Sequence, residues 1–161
     1  GLILNGQLYQ GSTGSAGELG HIQLEQSGER CMCGGKGCYE AYASTSALAA
    51  QIKQKINKDF TWDSFFIAVS NCSMQEIQVY NNWIDYVAAG LKSVIHTFNP
   101  ECVLLGGGIM ERHFIIEDVN CKVQTEIMDS FRKVKILPMK LGNNAGLYGA
   151  MHSASRIYIQ E

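Results

Sequence analysis

The sequence predicts a mixed α/β domain, and three stretches of the chain carry this prediction. Residues 73–98 place apolar side chains at three- and four-residue spacing, which indicates one long amphipathic helix. Residues 102–105 form a continuous apolar run that ends in three glycines, which is typical of a strand buried on both faces of a sheet. Residues 17–44 contain a histidine and three closely spaced cysteines, which indicates a metal-binding segment ahead of the helices.

The composition indicates a globular protein with its own core. The chain has 161 residues, of which 46% are hydrophobic and 17% charged, and these values suit one domain over residues 1–161. The net charge of −2 disfavours a nucleic-acid-binding surface, and no apolar run reaches the roughly 18 residues of a membrane span. Three cysteines scattered among apolar residues predict buried thiols in a reducing cytoplasm: Cys72, Cys102 and Cys121.

The N-terminal third combines short strands with a helix. Asn5-Gly6 between two apolar runs predicts a hairpin with a type I′ turn, whose first strand is Leu2–Leu4. Apolar and polar residues alternate over residues 21–25, which predicts a third strand. Residues 39–57 repeat apolar side chains at helical spacing and end in lysines, which predicts a single helix. The next stretch, residues 59–72, predicts a loop with a short helix.

The C-terminal part alternates helices and strands. Ser73 and Glu76 have the spacing of a capping box at the start of the long helix, and Pro100 stops that helix. We interpret the apolar stripe of this helix as core rather than as a ligand groove. The remaining elements are a predicted helix, strand and helix over residues 114–133, 134–137 and 144–158.

The histidine and the three cysteines have the spacing H-x9-C-x-C-x4-C. Tetrahedral Zn²⁺ accepts this set, and four protein ligands leave no open position for a reaction, so we predict a structural zinc held by His21, Cys31, Cys33 and Cys38. The glycines between the thiols suit a tight knuckle that needs positive φ: Gly34, Gly35 and Gly37. The alternatives are a disulfide, which the very tight Cys31–Cys33 ring disfavours, or three unrelated buried thiols.

The strand over residues 102–105 runs into Gly106, Gly107 and Gly108. In an α/β sheet, a strand that ends in glycines before a helix lets the backbone approach a phosphate or a nucleotide. The alternative is a tight turn with no ligand. The residues alone leave both interpretations open.

Several segments resemble a known family. GELGH and CMCGGKGCYE, within residues 17–44, resemble the signature of the ROK family, which contains bacterial sugar kinases and sugar-responsive transcriptional repressors. The similarity continues in NPECVLLGGGIM (residues 99–110) and LGNNAGLYGAMHSA (residues 141–154). This resemblance implies the ribonuclease-H-like domain that actin-type ATPases and sugar kinases use in duplicate. We expect only the second copy here, with an N-terminal domain missing before Gly1.

The resemblance also implies sugar and nucleotide sites. In ROK kinases, the residues that match Glu18, His21 and Glu40 hold the sugar. Carboxylates suit this task because each oxygen accepts hydrogen bonds from hydroxyls, and a metal-bound histidine keeps a second ring nitrogen as donor. The alternatives are an exposed loop charge for Glu18 and a charge at a helix N-terminus for Glu40. Gly1 matches the end of a glycine-rich loop that contacts the ATP phosphates.

The function that this resemblance implies is that of an ATP-dependent sugar kinase that uses Mg²⁺ and phosphorylates a hexose or an N-acetylhexosamine, in the manner of a glucokinase. The Asp-x-Gly-x-Thr phosphate loop and the catalytic aspartate of an Asn-Asp pair do not occur in this sequence. We therefore assign no catalytic residue, expect the general base in the N-terminal domain, and expect no turnover by this chain alone.

Two other interpretations compete with the kinase. The chain could be the sugar-sensing domain of a ROK transcriptional repressor, whose DNA-binding winged helix would lie upstream. It could also be a purely structural zinc module, which predicts no sugar binding at all. The resemblance further implies a homodimer, since members of the family commonly form one.

Overall fold

The structure, a computed structural model, describes residues 1–159 and confirms the mixed α/β class. Within this range the chain forms two small sheets and six α-helices, joined by short 3₁₀ turns. In chain order these elements are β1 (Leu2–Leu4), β2 (Gln7–Tyr9), α1 (Glu40–Ala43), α2 (Thr45–Lys55), α3 (Trp62–Ser70), α4 (Met74–Phe98), β3 (Cys102–Leu105), α5 (His113–Glu126), β4 (Lys135–Pro138) and α6 (Ala145–Ile159). Among these residues, no helix has the length and hydropathy needed to cross a bilayer.

The predicted hairpin is present, but the predicted third strand is not. Strands β1 and β2 pair antiparallel around Asn5 (φ 52°) and Gly6 (φ 76°), and both values match a type I′ turn. Residues 21–25 form no strand, because the chain makes a 3₁₀ turn over Leu19–His21 and then only an isolated bridge between Gln23 and Cys38. The backbone here pairs with the cysteine loop instead of with the hairpin.

The predicted helix over residues 39–57 is two helices. Ser44 adopts an extended conformation (φ −69°, ψ 158°) between α1 and α2, and its Oγ accepts a hydrogen bond from the Ala47 backbone N–H at 3.2 Å. A serine that caps a new helix in this way interrupts the preceding one. The apolar periodicity spans the break, since Leu48 and Ile52 in α2 are both fully buried.

Helix α4 is the centre of the fold and confirms the prediction for residues 73–98. It packs against α1, α2, α3 and α5. Its buried residues, which confirm the predicted core stripe, are Val79, Tyr80, Trp83, Ile84, Val87, Ala88, Gly90, Leu91, Val94 and Ile95. The predicted capping box differs in detail, because Ser73 Oγ donates to the Glu76 carboxylate instead of accepting a backbone N–H. The helix ends before Asn99, whose φ of 43° is left-handed.

Strands β3 and β4 run parallel, in register from Cys102 opposite Lys135. The prediction that β3 is buried on both faces is wrong, because Leu104 is 52% exposed. Val103 and the buried Ile136 pack towards the helical core, whereas Leu104 and Leu137 point away from it. The sheet has only two strands in the described range, so its outer face has no cover there.

The remaining predictions need smaller corrections. Helix α5 ends at Glu126 rather than at residue 133, because Ile127 is extended (ψ 155°) and a 3₁₀ turn over Asp129–Phe131 follows it. Residues 59–72 contain a full helix, α3, instead of a loop with a short one. Cys72, Cys102 and Cys121 are exposed thiols, so the prediction that they are buried is wrong.

Candidate functional site

One histidine and three cysteines converge in the segment that precedes α1. The ligand atoms of His21, Cys31, Cys33 and Cys38 all lie within 4.8 Å of one another. Cys33 Sγ and Cys38 Sγ are 3.7 Å apart, and Cys31 Sγ is 3.5 Å from His21 Nδ1. Tetrahedral zinc with ordinary bond lengths separates two sulfurs by about 3.8 Å, and a sulfur and a nitrogen by about 3.6 Å. The four predicted ligands therefore fit a Zn²⁺ ion.

Glycines shape the loop that carries the thiols. Gly34 (φ 89°) and Gly37 (φ 72°) are left-handed, as a knuckle requires, whereas Gly35 is not. A Cβ on Gly37 would lie 1.6 Å from the Glu25 carbonyl oxygen, so no other residue fits there. Cys31 N–H donates to the Gly35 carbonyl at 2.9 Å and closes the loop. The backbone thus holds the thiols together through its own hydrogen bonds.

The environment of the thiols separates their acidities. Burial, followed by the neighbouring Cys31 and Cys33, raises the pKa of Cys38 to about 12. The backbone N–H of Gly35, followed by the side chains of Cys31 and Cys38, lowers the pKa of Cys33. A cation that replaces the protons stabilises three thiolates that lie this close together.

The structure places one predicted sugar-binding carboxylate next to His21 and the other next to Gly20. Glu18 Oε2 is 3.9 Å from His21 Nε2, the ring nitrogen that points away from Cys31. Glu40 begins α1, and its carboxylate lies 3.4 Å from the position a Cβ would take on Gly20, the residue before His21. All three side chains are exposed. The structure therefore brings Glu18, His21 and Glu40 together at the surface, beside the cysteine cluster.

Helix α4 holds the segment around Glu40 in place through two hydrogen bonds. Tyr39, between Cys38 and Glu40, donates its hydroxyl to the Val87 carbonyl at 3.0 Å, and burial raises its pKa. Trp83 is fully buried and donates its indole N–H to the Ala43 carbonyl at 2.9 Å, at the end of α1. These two bonds fix both ends of the segment that carries Glu40.

A cleft of about 790 Å³ opens next to Glu40, between α2, α4 and the cysteine loop. Its wall includes Tyr42 and Tyr86, whose rings stack with centroids 4.5 Å apart. The Tyr42 hydroxyl accepts the Glu29 backbone N–H at 2.7 Å, which ties the cysteine loop to α1. The volume lies within the range of roughly 300–1,000 Å³ that small-molecule sites occupy.

A second cleft, of about 490 Å³, lies at the carboxyl ends of β3 and β4. Gly106 and Gly107 line it, together with Lys140, Gly142 and Asn144 from the loop before α6. This edge of a parallel sheet is where α/β folds accept ligands. Two of the predicted nucleotide contacts are thus in one cleft.

The other two predicted nucleotide contacts lie elsewhere. Gly108 starts a 3₁₀ turn and does not line this cleft. Gly1 packs against Gly17, where a Cβ would lie 3.2 Å from the Gly1 Cα. Gly1 is therefore next to the segment that carries Glu18, and the structure does not place it among the residues of the glycine cleft.

The site contains residues that the sequence prediction missed. Tyr39 was assigned no role from the sequence, although it lies between a predicted metal ligand and a predicted sugar contact. Gly90 lies in the middle of α4, and a Cβ there would come within 2.2 Å of the Tyr39 ring. A glycine inside a strongly periodic helix is the signal that could have revealed this contact, because it lowers helix stability and so indicates a packing role.

Comparison with known proteins gives relatives of two kinds. The chain is 33% identical over 154 residues to a xylose repressor of Bacillus subtilis, which covers 92% of this chain and 39% of the repressor. It is 29% identical over 166 residues to a glucokinase of Thermotoga maritima, which covers 93% of this chain and 52% of the glucokinase. The chain therefore spans about half or less of the length of these relatives.

The fold has a counterpart among solved structures. The ROK hexokinase from Thermus thermophilus matches with a TM-score of 0.81 and 28% identity, over 93% of this chain and 52% of the hexokinase. This similarity supports the predicted ribonuclease-H-like class, and the matched part is about half of the hexokinase chain. The sequence also matches the profile of the ROK family over residues 1–157. With nearly its whole length matched, the chain belongs to the ROK family.

Proposed function

We propose that this chain is the sugar-binding half of an ATP-dependent sugar kinase whose substrate is a hexose or an N-acetylhexosamine. One observation carries the proposal: Glu18 lies beside His21 and Glu40 lies beside Gly20, the residue before it, and His21 also belongs to the four-ligand cluster. Neither a loop charge for Glu18 nor a helix-terminal charge for Glu40 explains why both carboxylates lie next to the segment Gly20–His21. A hexose presents neighbouring hydroxyls, which paired carboxylates bind well.

Bound Zn²⁺ would supply a structural cross-link between the segments that carry His21, Cys31, Cys33 and Cys38. With Nδ1 turned to the cysteines, His21 keeps Nε2 on the side of Glu18. That nitrogen donates a hydrogen bond to a sugar hydroxyl, while Glu18 and Glu40 accept hydrogen bonds from others. The three side chains hold the sugar in one orientation, which is what a transfer to a single hydroxyl requires.

The nucleotide half of the proposal rests on the glycine cleft. Gly106 and Gly107 leave room for the phosphates of ATP, which carries its own Mg²⁺, and Lys140 adds a positive charge at the same cleft. No residue of this chain is assigned as the general base. We propose that an N-terminal domain supplies it, together with a phosphate loop, so that this chain alone does not turn over.

The sugar-sensing domain of a transcriptional repressor is the second candidate. The 33% identity to a xylose repressor supports it as well as the 29% identity to a glucokinase supports the kinase. Both functions use the same sugar site, so they differ in whether ATP is consumed. Like the kinase proposal, this one predicts sugar binding at Glu18, His21 and Glu40.

A coupled ATP-consumption assay on the full-length protein separates the two. The panel contains glucose, mannose, fructose and the corresponding N-acetylamino sugars. Turnover with one of them supports the kinase and names its substrate. Sugar binding by calorimetry without ATP consumption supports the repressor, and the absence of both leaves only the structural zinc module.

A further inference from the structure

Tyr39 connects three parts of the site at once. In the sequence it stands between Cys38, a predicted metal ligand, and Glu40, a predicted sugar contact. Its backbone N–H donates to the Ile22 carbonyl at 2.8 Å, directly after His21. Its side chain points away from this region and packs against helix α4. One residue is therefore attached to both segments of the cluster and to the central helix.

The contact with α4 is close and specific. The Tyr39 hydroxyl donates to the Val87 carbonyl at 3.0 Å. One helical turn further, the ring lies on Gly90, where an added Cβ would be 2.2 Å from the ring Cε2 and 2.4 Å from Cδ2. Atoms that are not bonded do not approach this closely, so any side chain at Gly90 displaces the ring.

Helix α4 is a rigid support for this contact. Trp83 and Ile95, on either side of Gly90, are both fully buried. The contact of the Tyr39 ring with α4 thus fixes the backbone of residues 38–40 relative to the core. If the ring moves, Cys38 Sγ and the Glu40 carboxylate move together, because each belongs to an adjacent residue.

We propose that Tyr39 is a positioning residue of the sugar site and that Gly90, which has no side chain, leaves the space in which its ring packs on α4. This inference rests on the proposed function, since it concerns the orientation of Glu40 relative to His21. It assigns to Gly90 a role in ligand affinity, although Gly90 is buried inside a helix and contacts neither metal nor sugar.

Gly90→Ala is the sharpest variant for testing this inference. Alanine is a better helix former than glycine, so the change favours the helical conformation of α4. At the same time its Cβ displaces the Tyr39 ring from the position it occupies against α4. We expect the full-length protein to keep its zinc and to lose sugar affinity by about tenfold or more, because small displacements of a binding group have large effects. Tyr39→Ala should have a similar effect, whereas Tyr39→Phe keeps the ring and should remain within a few-fold of wild type.

Two readouts separate positioning from general stability. The first is sugar affinity by calorimetry, measured with the sugar of the panel that wild type binds most tightly. The second is the visible absorption spectrum of Co²⁺ substituted for Zn²⁺, which depends on the geometry of the Cys38 thiolate. Leu48→Ala is the matched control, since Leu48 is fully buried in α2, a different helix, and its truncation lowers stability.

The outcomes are distinct. Lower sugar affinity and an altered Co²⁺ spectrum in Gly90→Ala and Tyr39→Ala, with both unchanged in Leu48→Ala, support the inference. If the two variants match Leu48→Ala in both readouts, Tyr39 is an ordinary core residue and the inference is wrong. If wild type binds no sugar, the proposed function fails, and the inference that Tyr39 positions a sugar site falls with it.

Discussion

His21 presents one ring nitrogen to the cysteine cluster and the other to Glu18, at 3.5 Å from Cys31 Sγ and 3.9 Å from Glu18 Oε2 respectively. A single imidazole thereby links a predicted structural metal to a predicted ligand contact. A metal bound on the cysteine side would fix the orientation of the ring, and with it the position of the nitrogen that faces Glu18.

Cys33→Ser should abolish stoichiometric zinc binding. Serine offers a hydroxyl in place of a thiolate, and the remaining three ligands bind zinc far more weakly. We expect the zinc-to-protein ratio by mass spectrometry to fall from about one to near zero, with a lower melting temperature. Cys72→Ser is the control, since Cys72 is a free, exposed thiol outside the cluster. An undiminished ratio in Cys33→Ser would remove the metal assignment.

Glu40→Gln should weaken sugar binding and leave the metal in place. The amide has the shape of the carboxylate but lacks its charge, and hydrogen bonds to a charged group contribute roughly 1.5–3 kcal/mol. Calorimetry on the full-length protein should therefore show a loss of roughly tenfold to a hundredfold in affinity, at constant zinc content.

The matched control for this change is Glu29→Gln. Glu29 lies on the same cysteine loop and lines the 790 Å³ cleft, but it is not one of the three proposed sugar contacts. Sugar affinity that falls equally in both variants would show a general electrostatic effect and would contradict the role of Glu40.

Leu48→Ala should lower the free energy of unfolding by about 2–5 kcal/mol, because it leaves a cavity at a fully buried position beneath α4. Leu8→Ala, in the hairpin, should change it by less than about 0.5 kcal/mol, since Leu8 is 58% exposed. Urea denaturation measures both values. Equal effects at the two positions would mean that the helical core is not where the structure places it.

Tyr80→Phe should change how stability depends on alkaline pH. Burial, followed by the hydrogen bond to Asp118 at 2.6 Å, raises the pKa of Tyr80 above its ordinary value. The neutral phenol is thus favoured in the folded state, so its contribution is complete below the unfolded pKa of about 10 and is lost as pH rises further.

Melting temperatures measured from pH 8 to pH 11 test this prediction. Wild type should lose stability above about pH 10, and Tyr80→Phe should lose less over the same interval. Tyr9→Phe, at an exposed position in the hairpin, is the control. Parallel pH profiles for wild type and Tyr80→Phe would show that the phenol is not responsible.

The sequence was most informative where spacing is dictated by covalent or metal geometry. The four predicted ligands converge because H-x9-C-x-C-x4-C leaves few other arrangements, and the Asn5-Gly6 turn formed because both residues tolerate positive φ. Helix α4 was also predicted correctly, since its apolar stripe is long and Pro100 follows closely after its end at Phe98.

Other features depended on tertiary context that periodicity does not contain. Residues 21–25 alternate like a strand, yet their backbone bonds to the cysteine loop. Ser44 divides a periodic stretch because its side chain caps the next helix, and Leu104 is apolar but exposed since its sheet has two strands in the described range. The contact between Tyr39 and Gly90 joins residues far apart in the chain, so spacing alone could not predict it.

The sugar affinity of the full-length protein, measured before and after a chelator removes zinc, shows whether the metal organises the sugar site. If the cluster fixes Glu18, His21 and Glu40, the zinc-loaded protein should bind one sugar of the panel, the zinc-free protein should bind it at least about tenfold more weakly, and added Zn²⁺ should restore the affinity. Affinity that is the same with and without zinc would contradict the central claim that the metal organises the sugar site.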